Sequence, residues 1–315
     1  MKTLAATGIA SLLLLTSLWT LPAAGGAATA APHSDKLKSS CSGKLDILLS
    51  NDDGFDQPGI VALQQALSQA KHRVVIAAPS KNASGSSASI TFAPVTVKRV
   101  EANTYAIGAS PASAVVLAVS ALFPPQSPPD LLISGINKGA NLGPATSISG
   151  TVGATTAALQ IIDPPIPAIA ISTDPLGPDF SEQQNREHLQ SIAAFITRLV
   201  DKLQLEQCKS GLLLPQGLAL NINYPPLSAE KIKGIVIKEQ GQAPYFAIGY
   251  APAKDKPNVF LPVFKQRKVK HDIAQSDTTA YHQGYITIVP LDGNYSSRDP
   301  AVKAFIEPLT LTLKP

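Results

Sequence analysis

The chain has 315 residues, of which 44% are apolar and 15% charged, with a formal net charge of +4. That length suits one large domain or one domain with an appendage, and the apolar share is enough for a sizeable core, which excludes general disorder. No cluster of lysine and arginine with interleaved aromatics occurs, so a nucleic-acid groove is not expected.

At the N-terminus, Lys2 precedes an apolar run over 9–21, followed by the small residues AAGGAATAAP from Ala23. This is the layout of a secretory signal peptide, and the run is short of the ~20 apolar residues that a membrane span needs. Residues 1–31 are read as that peptide, cleaved between Ala24 and Ala31, which implies a periplasmic or secreted protein. Residues 32–43, rich in Ser, Lys and Gly, read as a linker. An exported chain can pair its two cysteines, Cys41 and Cys208, in a disulfide. Two separate thiols are the alternative.

The core opens with LDILLSNDDGFDQPGI at 45–60. A short apolar run ended by polar and turn-forming residues is how a buried parallel strand reads. Asp52 and Asp53 then stand side by side at its end, an arrangement in which each charge opposes ionisation of the other. A bound cation removes that cost, so both are expected to be hard oxygen ligands. Asn51 is placed beside them to orient a carboxylate, or else to stabilise the turn. Apolar residues at helical spacing predict a helix over 59–70, and RVVIAA at 73–78 a second buried strand.

A small, polar loop, PSKNASGSSAS, covers 79–89. Residues 90–100 and 105–108 alternate and predict a hairpin or excursion. Pro111 suits the first turn of a helix that continues through 114–122. DLLIS at 130–134 is another buried strand, leading into a glycine-rich loop and a helix over 150–162. A strand at 167–172, a long helix at 181–203 and a strand at 218–222 follow. Residues 233–265 predict an antiparallel arm, 285–291 a last strand, and 309–313 a terminal strand or extended arm. His72 and His188 are expected at the surface, and no histidine shows zinc spacing.

Strands and helices in this order predict an α/β fold with a mostly parallel sheet and a C-terminal antiparallel arm or hairpin. The core is bounded at 44–230, with the arm, the final core strand and an oligomerisation segment in 231–315. Ligands of such sheets bind at the carboxyl ends of the strands. There the carboxylates of Asp52 and Asp53, the hydroxyl of Ser84 and the amides of Asn137 and Asn141 should converge. That donor set suits Mg²⁺, Mn²⁺ or Ca²⁺ rather than zinc. Ser149, Gly150 and Thr151 open the helix after the third buried strand, where free N–H groups make an anion site. A cation facing an anion cradle is what phosphate-ester hydrolysis requires.

With these residues in hand, the chain resembles the SurE-type nucleotidases, the survival protein E family. The resemblance rests on LLSNDDG at 48–54, QPG at 57–59, NASG at 82–85, SGIN at 134–137, NLG at 141–143 and SGTVGA at 149–154. Weaker matches are LNINYP at 220–225 and DTTAYHQGYITIVPL at 277–291. The resemblance implies a Rossmann-like, three-layer core and one divalent cation per subunit, Mg²⁺ or Mn²⁺. It places Asp52, Asp53, Ser84 and Asn137 on the metal, and Asn141, Ser149, Gly150 and Thr151 on phosphate. It also implies hydrolysis of nucleoside 5′(3′)-monophosphates in a homodimer or homotetramer; catalysis is assigned to Asp52, Asp53 and Asn51, with Asp52 the partner of the attacking water. Ser80, Lys81 and the position near Ala157 depart from the family pattern, as do the loop 144–148, which lacks its usual acid and aromatic, and the run 110–114, which lacks its usual carboxylate. The altered surroundings leave one alternative, an exported nucleotide- or phosphate-binding protein that keeps the inner metal site without turnover.

Overall fold

The computed structural model describes residues 43–254, 256–269, 271–297 and 299–310. The signal-peptide reading, most of the linker, Cys41 and the end of the 309–313 segment lie outside the described residues. Cys208, whose pairing with Cys41 the sequence leaves open, is exposed near the end of a long helix.

A nine-stranded sheet forms the centre. Its strands are β1 (Asp46–Ser50), β2 (Arg73–Pro79), β3 (Val97–Glu101), β4 (Thr104–Ile107), β5 (Leu131–Lys138), β6 (Ala168–Thr173), β7 (Ala219–Asn223), β8 (Ile235–Ile237) and β11 (Ile286–Leu291). They lie in the order β3-β4-β2-β1-β5-β6-β7-β11-β8. From β4 through β7 every neighbouring pair is parallel. β3 and β11 run antiparallel to β4 and β7. The expected excursion is thus the β3–β4 hairpin at one edge.

Alternation along β1 distributes its side chains between two apolar layers. Ile47 and Leu49 face α1 (Pro58–Gln69) and α4 (Glu182–Ser210), meeting Ile60, Leu63, Ile192 and Ile196. Leu48 faces the other way, toward Val115 of α2 (Pro111–Leu117) and Ala154 and Ala158 of α3 (Gly150–Gln160). The α3 segment GTVGATT is a modest helix former. Its start is fixed by Ser149, whose Oγ accepts from Val152 N at 3.1 Å. Its small residues let the helix lie close to the sheet.

Several expectations need correction. The helix α4 runs to Ser210 rather than 203, stopped by Gly211 in a left-handed conformation at φ 82°. In 233–265, β9 (Phe246–Pro252) and β10 (Phe260–Gln266) form the antiparallel hairpin, but β8 joins the main sheet parallel to β11. Residues 309 and 310 end a helix, α6 (Pro300–Thr310), rather than a strand; a shorter helix, α5 (Asp277–His282), precedes β11. His72 and His188 are both buried, at 8% exposure. His72 Nδ1 accepts from Leu45 N at 3.2 Å, which draws the ring beneath the start of β1.

Leu48 is fully buried at the middle of this arrangement. Leu48→Ala is expected to cost about 2–5 kcal/mol, through lost transfer energy and an unfilled cavity. Urea unfolding should show a lower midpoint with an unchanged slope.

Candidate active site

Because β2, β1 and β5 are parallel neighbours, the loops at their carboxyl ends share one edge. Direct bonds then tie these loops together. Ala83 N, in the loop after β2, donates to the Asp52 carbonyl at 2.7 Å, and Phe55 N donates to the Pro79 carbonyl at 3.1 Å. The backbone N–H of Lys138, at the end of β5, donates to Asp53 Oδ2 at 2.9 Å. Thr151 Oγ1, from the first turn of α3, donates to Asp52 Oδ1 at 2.6 Å across 99 residues of sequence. Carboxylates, serine loop and helix N-terminus therefore meet as expected.

The turn that presents the two acids is closed by Asn51. Its Nδ2 donates to the Gly54 carbonyl at 2.8 Å, and its Oδ1 accepts from Gly54 N at 3.1 Å. Gly54 sits at φ 133°, which a residue with a Cβ rarely adopts. Asn51 thus does the turn-stabilising work, and both ends of its amide are engaged there rather than on a carboxylate.

Asp52 is 3% exposed and Asp53 half-buried. Burial pushes the Asp52 carboxyl up, while the hydroxyl and N–H of Thr151 and the N–H of Gly150 partly hold it down. Burial raises Asp53 to about 6; the Lys138 N–H opposes this, and the neighbouring Asp52 adds to it. Two acids so placed are poised for a cation that would offset both effects.

Approach to Asp52 is set by Gly150. A Cβ there would lie 2.6 Å from Ser86 Oγ and 2.9 Å from Asp52 Oδ2, so only glycine lets the helix end reach the carboxylate. Gly153 does the same three residues later, against the backbone of Ser87. Among the described residues, the buried Ser86 hydroxyl finds no hydrogen-bond partner. A buried hydroxyl left without a partner beside two acids and a helix N-terminus marks a place for a polar ligand.

The other expected residues lie at the same edge. Asn137 is buried, and its Nδ2 donates to the Gly139 carbonyl at 2.7 Å, leaving Oδ1 as the donor atom for a cation. Ser84 is exposed in the loop whose Ala83 touches Asp52, and its N–H donates to Asn82 Oδ1 at 3.1 Å. Ser149 accepts the cap bond from Val152, which leaves its own O–H available. Asn141 sits deeper than the sequence suggests. Its Nδ2 donates to Ser172 Oγ at 2.8 Å, its N–H to Asn223 Oδ1 at 2.7 Å, and its carbonyl accepts from Asn221 Nδ2 at 2.9 Å.

Several contributors were given no site role by the sequence. Asn221 and Asn223 support the Asn141 loop; two polar residues on one face of a buried strand were their signal. Asp277 is fully buried and accepts from the N–H groups of Gly143, Gly241 and Thr278, which pins the loop leading to Ser149. His188 lines the cleft beside Asp53. Thr173 Oγ1 donates to the Asp174 carbonyl at 3.1 Å and contacts His188 Nε2 at 3.1 Å. Burial lowers the His188 pKa, which favours the neutral ring. Among the described residues, no three His, Cys, Asp or Glu side chains gather as a metal site. The donor set here is two carboxylates with a hydroxyl and an amide, which suits a hard cation.

Comparison with known proteins agrees with this geometry. The family described as "Survival protein SurE" matches residues 47–247. A 5′-nucleotidase SurE 1 from Burkholderia lata is 31% identical over 247 residues, spanning 78% of this chain and 89% of the relative. A 5′-nucleotidase SurE from Syntrophobacter fumaroxidans is 33% identical over 253 residues, spanning 78% of this chain and 93% of its own length. The crystal structure of a SurE protein from Aquifex aeolicus superposes with a TM-score of 0.65 at 30% identity, covering 84% of this chain and 99% of that one. A family match through the whole sheet-edge site, with relatives aligned over most of their length, means that this chain belongs to the SurE family.

Proposed function

We propose that the protein is a divalent-metal-dependent phosphomonoesterase that hydrolyses nucleoside monophosphates to nucleoside and phosphate. The observation that carries this reading is the seating of the α3 N-terminus on Asp52, which sets anion donors against a paired-carboxylate site. Two features support the fit of a cation and an oxyanion: the raised carboxyls of Asp52 and Asp53, and the orphaned Ser86 hydroxyl.

Asp52, Asp53, Ser84 and Asn137 would hold the ion, with Mg²⁺ or Mn²⁺ the proposed species. When bound, such an ion polarises a phosphoryl oxygen and lowers the pKa of an attacking water. The chain's own residues do the rest. Thr151 fixes the orientation of the Asp52 carboxylate, and the Lys138 N–H fixes that of Asp53. The Gly150 and Thr151 N–H groups serve Asp52, and Ser149 O–H and Ser86 O–H are the donors for the phosphoryl oxygens, where negative charge grows in the transition state.

The apolar run and small residues at 9–31 support export to the periplasm or beyond. Among the described residues, no helix is long and apolar enough to cross a membrane. Exposed Tyr250, Phe260 and Phe264 on the β9–β10 hairpin, and Phe305 on α6, support a homodimer or homotetramer built through the C-terminal region. The binding-protein alternative keeps every contact described here and differs only in turnover.

Asp53→Asn is expected to lower phosphate release from AMP at least about 100-fold while preserving the circular-dichroism spectrum. The same change should stabilise the metal-free protein at pH 7. The folded carboxyl is raised to about 6 from 3.8, so folding disfavours its ionised form and stability falls as pH rises from 3.8 toward 6. Removing the charge should return on the order of 1 kcal/mol, a few degrees of melting temperature, at pH 7. Below about pH 4 the gain should vanish, because both states are then protonated.

Ser86→Ala separates ligand binding from folding. Deleting an orphaned buried hydroxyl should stabilise the free protein by about 1 kcal/mol and weaken kcat/KM for AMP by about tenfold. Thermal melts and steady-state kinetics on one preparation measure both.

A further inference from the structure

We infer that the layer between the sheet and α3 contains an internal water site, seated over the Ala170 methyl and held by Ser134 Oγ and Asn221 Oδ1. Water bound there keeps the Asn221 amide turned toward the Asn141 loop. The site is separate from the paired carboxylates and stands whether or not the protein is a phosphomonoesterase.

Side-chain alternation puts the groups concerned on one face of the sheet. Leu48 of β1, Leu132 of β5, Ala168 of β6 and Ala219 of β7 all belong to the layer of α2 and α3. The residues two positions further along each strand, Ser50, Ser134, Ala170 and Asn221, therefore point into that layer too. Parallel register sets them side by side in one row: Ser50 against Ser134, Ser134 against Ala170, and Ala170 against Asn221. All four are fully buried. Among the described residues, Ser50 Oγ, Ser134 Oγ and Asn221 Oδ1 find no hydrogen-bond partner. Buried polar atoms of a folded protein are paired with very few exceptions, so several orphans in a single row point to a ligand that they share.

The Asn221 amide has its orientation imposed from the loop side. Its Nδ2 donates to the Asn141 carbonyl at 2.9 Å, and a flipped amide would set two carbonyl oxygens against each other. The same carbonyl accepts from Asn223 Nδ2 and Thr146 Oγ1, both at 3.1 Å, which makes it the fixed point of the loop that leads to Ser149. Asn221 Oδ1 is thus an acceptor in need of a donor. The Ser134 hydroxyl lies two strands away, about 10 Å between Cα atoms at the usual strand spacing. Between them stands only the Ala170 methyl, and α3 covers this layer with the small side chains of Ala154 and Ala158. A water over Ala170 donates to Asn221 Oδ1 and bonds to Ser134 Oγ, which supplies the polar partners that a buried water needs. Ser50, one strand beyond Ser134, extends the polar row toward the turn that carries the two acids.

A high-resolution crystal structure should show an ordered peak within about 2.7–3.2 Å of both Ser134 Oγ and Asn221 Oδ1. No peak over Ala170, or one that touches only one of the two atoms, would overturn the site. Thermal melts supply a second reading, because the sign of the change depends on the water. Ser134→Ala should lower the melting temperature by about 2–4 °C if the hydroxyl holds a water, whereas deleting a hydroxyl with no partner raises it, as expected for Ser86. Adding Ala170→Ser places a hydroxyl where the water sits and should recover about half of that loss or more. A single variant that melts at or above the unmodified protein, or a loss that Ala170→Ser leaves in place, would overturn the bridge between Ser134 and Asn221.

Discussion

Two adjacent carboxylates at the end of a buried strand are the constraint around which this molecule is arranged. Asp52 and Asp53 lie where burial disfavours their charge. The fold answers with donors brought from far along the chain: the Thr151 hydroxyl and first-turn amides of α3 for Asp52, and the Lys138 N–H for Asp53. These contacts ease the electrostatic problem without removing it. The residual cost suits the pair to a dication, which would favour the ionised form of both groups at once.

Much of the remaining structure maintains that approach. Small residues along α3 let the helix press against the sheet, and Gly150 lets its first turn reach the carboxylate. The loop before α3 is held from beneath by Asn221 and Asn223, and from the side by Asp277. These are buried polar groups whose hydrogen bonds to that loop fix geometry more than they add stability. Among the described residues, the Ser86 hydroxyl beside the acids and Asn221 Oδ1 within that network are both buried without a hydrogen-bond partner.

The buried strands and the residues on adjacent loops were legible in the sequence because each has a local signal. Continuous apolar runs mark β1, β2, β5 and β6, and polar turn residues follow them where ligands of parallel sheets bind. What was not legible depends on distant partners. β8 looks like a piece of an antiparallel arm until β11, far along the chain, pairs with it in parallel. Thr151 was expected on phosphate; that its hydroxyl also orients Asp52 follows only from the packing of α3 on β1. Ser86 was hidden in a run of similar serines. His188 was misplaced although a signal existed: it falls four residues before Ile192 and eight before Ile196, on the face that α4 buries.

The most direct test of this account is a crystal of the protein grown with Mn²⁺ and measured by anomalous scattering. The account predicts one strong peak between the Asp52 and Asp53 carboxylates, with the amide oxygen of Asn137 and the hydroxyl of Ser84 within coordinating reach. Saturating Mn²⁺ with no peak beside the paired aspartates, or a peak held by other residues, would contradict it.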